Sequence, residues 1–422
     1  MTRWADIFSV YRDRRLLSIL FLGFSSGLPL ALTGSTLAVW LTESGVDMKT
    51  IGLFALVGIP YSFKFVWAPF LDRVRIPFLH SCLGRRRSWI LTIQAALILA
   101  LLALGMAGPP GPPWITALLA IVVAFASASQ DIVIDAYRVE ILQPEQYGAG
   151  AAMVQFGYRL GMLVAGAGAL FVASMVSWFW VYAGMAGLLL IGSLTILVNP
   201  EPNTAPTALN VSPRSWLRDT VGGPFIDLLQ RHGWTLAVIV TFVVLYKLGD
   251  ALAGMMSNPF YIKLGFTKVE IASVSKVFGF IATIVGTLAG GIVVARIGIA
   301  RALLVCGVLQ MLANLMFAFQ AMAGHQVSVL IFTIAIENLT GGMGSAAFVA
   351  YLSGLCNTAF TGTQYALLSS LAVFGRTVLA SSGGWLVERL GWIDFFLFST
   401  AACLPGLAVL VWMMRRTSLG SR

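Results

Sequence analysis

Eight ionisable residues lie inside stretches that are otherwise apolar: Lys64, Asp131, Arg159, Lys247, Asp250, Lys276, Glu337 and Arg376. A charge at the centre of a bilayer costs at least ~2.5–3.5 kcal/mol on insertion scales, so each of these groups is a functional candidate by default. At ~1.5 Å per helical residue, Arg159, Lys247, Glu337 and Arg376 fall near the midplane. Asp250 and Lys276 lie further towards the outer side, and Lys64 and Asp131 towards the cytoplasmic side. Five bases face three acids, or four acids if Asp135 is counted, so the interior favours an anion. A solute carrying carboxylates or phosphates would complete the pairing, with Arg159 and Arg376 suited to bidentate contacts. The plainer alternative is structural ion pairing, which is the weightier reading for Lys247 and Asp250, three residues apart on one helix.

A buried carboxyl that alternates between a cationic partner and a proton is the working part of a proton-coupled carrier. Asp131, in Ala128-Ser129-Gln130-Asp131, and Glu337, beside Asn338, are the leading candidates, with Asp250 as a third. Lys64, Gln130, Arg159, Lys247, Asn338 and Arg376 form a candidate binding set. Tyr61 and Tyr246 join it because aromatic rings beside buried bases can stack on a sugar face, although most membrane aromatics only pack or anchor.

The elements that must position these groups are transmembrane helices. With 58% hydrophobic and 10% charged residues in 422, and a mean hydropathy of +0.88, polar surface is too scarce for a soluble globule. Twelve stretches reach the roughly 20 apolar residues a spanning helix needs, at 16–41, 50–71, 88–107, 114–135, 148–174, 178–198, 234–256, 270–294, 302–322, 327–353, 364–386 and 393–413. The net charge of +10 does not form the basic face of a nucleic-acid binder. It follows the bilayer, with Arg3, Arg12, Arg14 and Arg15 before the first helix, Arg73, Arg75, Arg85, Arg86 and Arg87 between the second and third, and Arg415, Arg416 and Arg422 after the last. The opposite loops hold only Lys49, Lys263, Lys268 and Arg389, which places both termini in the cytoplasm. The first apolar segment is too long for a signal peptide and reads as a retained anchor. Four scattered cysteines imply neither a disulfide nor a metal framework.

Residues 199–233 change character, with five prolines in 199–232, basic residues at Arg214, Arg218 and Arg231, and an amphipathic run around Trp216 to Leu229. They read as a cytoplasmic linker between six-helix halves at 1–198 and 234–422. A faint internal echo supports the division: Asp131 to Arg159 is matched by Ser345 to Arg376, with Ala136-Tyr137 answering Ala350-Tyr351. Glycine runs at Gly161 to Gly168 and Gly341 to Gly344 suit close helix packing, and Pro29 and Pro60 can bend the first two helices. There is no GxxxxGK[ST] fingerprint, no soluble region large enough for an ATPase, no catalytic constellation and no filter column. The expectation is a carrier without cofactor or resident metal, able to work as a monomer.

Pro69-Phe70-Leu71-Asp72-Arg73 followed by Gly84-Arg85-Arg86-Arg87 resembles the major facilitator signature. The likeness implies a charge latch made by Asp72, Arg73, Arg85 and Arg86, which Asp135 and Arg138, one helical turn apart, can join. The arginines also serve as topology determinants against anionic lipid. Gly23 to Thr33, Lys49-Thr50-Ile51-Gly52, Phe63-Lys64-Phe65, Ser127 to Val133, Gly157 to Val164, Leu245 to Ala251, Ala282 to Gly286, Glu337-Asn338-Leu339, Gly341-Gly342-Met343-Gly344 and Pro405-Gly406-Leu407 resemble the AmpG muropeptide permease family along nearly the whole chain. The resemblance implies a major facilitator fold with substrate bound at the midplane between rocking halves. It further implies proton-driven import, across a bacterial inner membrane, of N-acetylglucosamine-1,6-anhydro-N-acetylmuramic acid with or without its stem peptide, feeding the signals that induce AmpC β-lactamase. Asp131 is its first proton-site candidate. Longer relatives carry helices beyond the twelfth, so the expectation here is the transport core. A carrier of another organic anion such as acetyl-CoA, or a transport-dead sensor of wall fragments, are the alternatives.

Overall fold

The computed structural model describes residues 11, 13–109, 112–202 and 221–416, with the side chains of Met48, Ala55, Lys268 and Lys276 outside that description. Arg214, Arg218 and Trp216 of the expected linker also lie outside it. Secondary structure among the described residues is helical throughout. Eleven helical stretches are long and apolar enough to cross a membrane: α1 (Arg14–Glu43), α2 (Lys49–Val66), α3 (Arg85–Ala107), α4 (Pro113–Ile141), α5 (Pro144–Ala173), α6 (Trp178–Val198), α7 (Thr235–Lys263), α8 (Val269–Ile297), α9 (Ile299–Ala323), α10 (Val327–Leu355) and α12 (Gly383–Arg416). Between the last two lies α11 (Thr361–Ala380), which answers the eleventh of the twelve expected crossings. Thr361, Thr363, Gln364, Ser369, Ser370 and Arg376 make it more polar than the others.

Local chemistry sets several boundaries. Asp47 caps the start of α2 by accepting from the Thr50 amide at 3.0 Å. Thr267 and Glu270 form a reciprocal capping box at the start of α8. Gly298, at φ 79°, links α8 to α9 in a single residue, a conformation that a side chain would strain.

Several helices are interrupted where the candidate residues sit. α1 breaks at Gly34, five residues after Pro29. α2 alternates 3₁₀ turns at Phe54–Gly58 and Lys64–Val66 with a short helix, Ile59–Phe63, whose first turn holds Pro60. α7 is interrupted at Lys247 (φ −103°, ψ 9°). α5 and α8 contain single π-helical turns at Val164–Gly168 and Ser275–Gly279. Backbone freed at such sites is tolerated at membrane depth only where protein or water satisfies it.

By contact the chain forms two compact units, one containing Met1–Gln143, Met153–Asp227 and Cys356–Ser370, the other Pro144–Ala152, Leu228–Leu355 and Leu371–Arg422. In the first, Gly23 and Gly27 of α1 lie against the backbone of Val154 and Tyr158 of α5, and Gly157 and Gly161 of α5 lie against Leu20 and Phe24 of α1. Two small-xxx-small motifs therefore face each other, and a methyl group on any of the four would meet main-chain atoms. In the second, Gly286 and Gly290 of α8 meet Leu339 and Met343 of α10 in the same way. Of the expected packing run at 161–168, only Gly161 is a close contact, since Gly166 has open space around it in the π turn. The second unit also holds an aromatic core in which Phe317 and Phe396 stack and Phe260 meets both edge to face, with centroids 4.8–6.5 Å apart.

Candidate functional site

Asp131 sits near the middle of α4, partly exposed, and accepts a short hydrogen bond from Ser26 of α1. Lys64, at the 3₁₀ break of α2, interacts electrostatically with it and lies 4.0 Å from Asp135, one turn further along α4. Tyr61 of α2 and Tyr158 of α5 also feel the Asp131 charge. The neighbouring Gln130 is fully buried, and neither its amide oxygen nor its amide nitrogen has a hydrogen-bond partner among the described residues. An unsatisfied buried amide costs about 1–3 kcal/mol, which a water or a polar solute would recover. α4 therefore presents an acid and an unused amide side by side, and α2 brings a base to them.

At the other end of α4, Arg86 is fully buried between Asp72 at 2.8 Å and Glu140 at 2.5 Å. Arg85 approaches Glu140 at 3.5 Å and donates to the Asp72 carbonyl at 2.8 Å. Two guanidinium groups and two carboxylates balance, the condition under which a buried ion cluster survives desolvation. Asp72 has further donors at the start of α11: the amides of Gly362 (3.1 Å) and Thr363 (2.7 Å) and the Thr363 hydroxyl (2.6 Å). A carboxylate at a helix N-terminus satisfies donors that the helix leaves unused. Asp135 and Arg138 pair at 3.2 Å, and the Arg138 guanidinium lies over the Tyr365 ring at 5.1 Å. Arg73 lies over Phe360 at 5.5 Å. Five of the six expected latch residues thus touch α11, the turn before it, or Asp72, whose carboxylate its first turn holds, and the sixth, Asp135, reaches it through its pair with Arg138.

Glu140 was absent from the sequence-based set because the fourth helix was expected to stop at 135, which left this acid in a loop. Glu201 was missed too. Its carboxylate accepts from the amides of Arg86 (2.7 Å) and Arg87 (3.0 Å), so it caps α3 from 115 residues away. Its side chain fills the space where a Cβ on Gly84 (φ 86°) would stand. In return Arg87 donates to the carbonyls of Ile196 (3.1 Å) and Leu197 (2.9 Å) at the end of α6.

The second unit holds its own polar cluster. Lys247, at the break of α7, donates to Gln310 of α9 (3.1 Å) and Ser345 of α10 (3.3 Å) and pairs with Asp250 at 3.7 Å. Glu337 of α10 accepts from the Asn338 amide at 2.7 Å, and Asn338 in turn accepts from Thr283 of α8 at 2.9 Å. Tyr246 is buried against Phe348 with its hydroxyl given to the Leu303 carbonyl at 2.9 Å, so its polar end is occupied inside the unit. Arg159 in the first unit and Arg376 in the second are both exposed, and neither has a carboxylate within ion-pair distance among the described residues. A guanidinium facing lipid at mid-span is strongly disfavoured, so both require water or an anion beside them.

The Major Facilitator Superfamily family model matches residues 19–335. Over 405 residues the chain is 44% identical to the anhydromuropeptide permease of Escherichia coli (strain K12), covering 95% of this chain and 80% of that one. It is 37% identical to a Rickettsia conorii protein named as an AmpG transporter, covering 98% of this chain and all of that one. Among solved structures, the human organic anion transporter MFSD10 matches with a TM-score of 0.63 at 18% identity, covering 94% of this chain and 99% of that one. The proton:xylose symporter XylE bound to 6-bromo-6-deoxy-D-glucose matches with a TM-score of 0.65 at 12% identity, covering 97% and 95%. At these identities the two structures speak for the fold alone. An all-helical multi-pass membrane protein with this match along its length belongs to the Major Facilitator Superfamily, among its AmpG-like transporters.

Proposed function

We propose that the protein is a proton-coupled importer of anhydromuropeptides, carrying N-acetylglucosamine-1,6-anhydro-N-acetylmuramic acid, with or without its stem peptide, across a bacterial inner membrane, with both termini cytoplasmic. The observation that carries the reading is 44% identity to the E. coli permease across 95% of the chain. The geometry supports it in two places. Asp131 is a partly exposed acid balanced between a hydroxyl donor and a lysine, an arrangement in which gain of a proton changes the partners without unfolding the helix. Arg159 and Arg376 are exposed mid-span bases without a carboxylate partner among the described residues, suited to the carboxylates of a stem peptide. Glu337 and Asp250 are secondary proton candidates, and Gln130 and Asn338 offer amides to the sugars. Lys64 and Lys247 are already engaged by acids, so their contribution to binding is through the charge they leave over.

The test is uptake of labelled anhydromuropeptide into proteoliposomes holding the purified protein, with and without an inward proton gradient and with acetyl-CoA as competitor. Accumulation that needs the gradient and ignores acetyl-CoA is the expected result. Uptake blocked by acetyl-CoA would move the substrate to a nucleotide-bearing anion, and no uptake by folded protein would leave the architecture standing and refute anhydromuropeptide as the substrate. Asp131→Asn should abolish gradient-driven accumulation while leaving solute exchange, and unchanged accumulation would remove Asp131 from coupling.

A further inference from the structure

Asp131, Asp135 and Arg138 occupy positions i, i+4 and i+7 of α4, which places them along one face of the helix. Lys64 serves both acids, lying 4.0 Å from Asp135 and acting electrostatically on Asp131. Asp135 is meanwhile paired with Arg138 at 3.2 Å, and Arg138, fully buried, lies over Tyr365 in the first turns of α11. All of these residues belong to the first unit.

We propose that Lys64 is the coupling residue that passes the protonation state of Asp131 to the start of α11, by changing which acid holds it. With Asp131 ionised, the ammonium is shared between two carboxylates and Asp135 keeps its bond to Arg138. With Asp131 protonated, one of the two attractions on Lys64 disappears and the ammonium moves fully onto Asp135. That competes with Arg138 for the same carboxylate, and the Arg138–Tyr365 contact loosens. The position of Lys64 suits the movement: it opens a 3₁₀ turn between two short helical pieces, Ile59–Phe63 and Ala68–Arg73, so its backbone is not held in a continuous α-helical ladder. Its side chain is 12% exposed and that of Asp135 is 18% exposed, so the exchange takes place where charge is poorly screened.

Tyr61 and Tyr158 face Asp131 from α2 and α5. Tyr158 and Tyr365 face Asp135, and Cys356 lies near Arg138 and Tyr365. Among these, Lys64 is the cation that both acids share.

This inference rests on Asp131 as the proton site, and the experiment separates the two. Spin labels are placed on Cys82 and on Thr358→Cys, both in the first unit, with Cys306, Cys356 and Cys403 replaced by alanine, and the inter-label distance is measured at acidic and neutral pH in reconstituted protein without substrate. The expected result is a distance that lengthens on acidification, is fixed at its acidic value in Asp131→Asn, and loses its pH response in Lys64→Met while keeping it in Lys64→Arg. A Lys64→Met protein that responds like the parent while Asp131→Asn does not would overturn the relay and leave the proton site standing. A response that survives Asp131→Asn would overturn both.

Discussion

Replacing Asp72 with asparagine removes one charge and keeps the shape, so its effect can be worked from the contacts around it. The carboxylate is 1% exposed. One of its oxygens accepts from Arg86 (2.8 Å) and the Gly362 amide (3.1 Å), and the other from the Thr363 amide (2.7 Å) and hydroxyl (2.6 Å). An asparagine oriented to keep the first pair turns its NH₂ towards the Thr363 amide, setting donor against donor. The stranded amide costs about 1–3 kcal/mol, and each bond that becomes neutral instead of charge-assisted loses about 1 kcal/mol. The start of α11 should therefore be held less tightly by about 3–5 kcal/mol, or roughly 10²–10⁴-fold in the equilibrium for its release. Hydrogen exchange at the amides of 362 and 363 reads that equilibrium directly. Less than about tenfold faster exchange in a folded Asp72→Asn protein would show that the carboxylate does not hold α11.

Other consequences can be checked separately. Arg159→Ala and Arg376→Ala should each weaken uptake of peptide-bearing cargo about 10–150-fold, the value of one charge-assisted contact, with a smaller loss for the sugar alone; equal losses for both would assign them a structural role. Gly27→Ala and Gly157→Ala should lower the thermal stability of the detergent-solubilised protein by about 1–3 kcal/mol each, because the added methyl meets the facing backbone. Asp47 lies outside the spans, and the hydroxyl and amide of Thr50 hold its carboxyl below the usual range. Its cap is therefore complete above the ordinary carboxylate range and is lost as pH falls through the folded value. Protection of the Thr50 amide, taken relative to its intrinsic exchange rate at each pH, should fall in acid, and Asp47→Asn should remove that pH step.

Apolar length made the helices legible, and it failed where charge is compensated by distant groups. α4 runs to Ile141, yet Asp135, Arg138 and Glu140 look like loop composition until Arg86 and Tyr365 are seen to bury them. The eleventh stretch is expected to end at 386 and the twelfth to begin at 393, and the backbone breaks between those limits, at Gly391 (φ 76°, ψ 172°) inside α12; the turn at Ser381 and Ser382 is a further interruption that the apolar run does not announce. The Asp135–Arg138 pair was readable because its partners stand three residues apart on one helix. The docking of α11 on Asp72 was not, because two of the donors are backbone amides about 290 residues away, and an amide has no residue type to read. The facing glycine pairs of α1 and α5 escaped for a related reason: each motif is ordinary alone, and its meaning lies in the other.

Glu201 follows the basic cluster it caps by 115 residues, and that order has a consequence for biogenesis. At ~5–20 residues per second, the ribosome needs roughly 6–23 s to reach it after Arg86 has been made. Throughout that interval the Arg86 and Arg87 amides lack the carboxylate that caps them, while the Arg86 guanidinium is already answered by Asp72 and, 54 residues on, by Glu140. Only when the sixth helix has been inserted does Glu201 arrive to take up the start of the third, and Arg87 to close the end of the sixth. The third helix is thus the early member of the bundle whose first turn is closed last, and a Glu201→Gln protein should insert with the parent topology yet mature slowly.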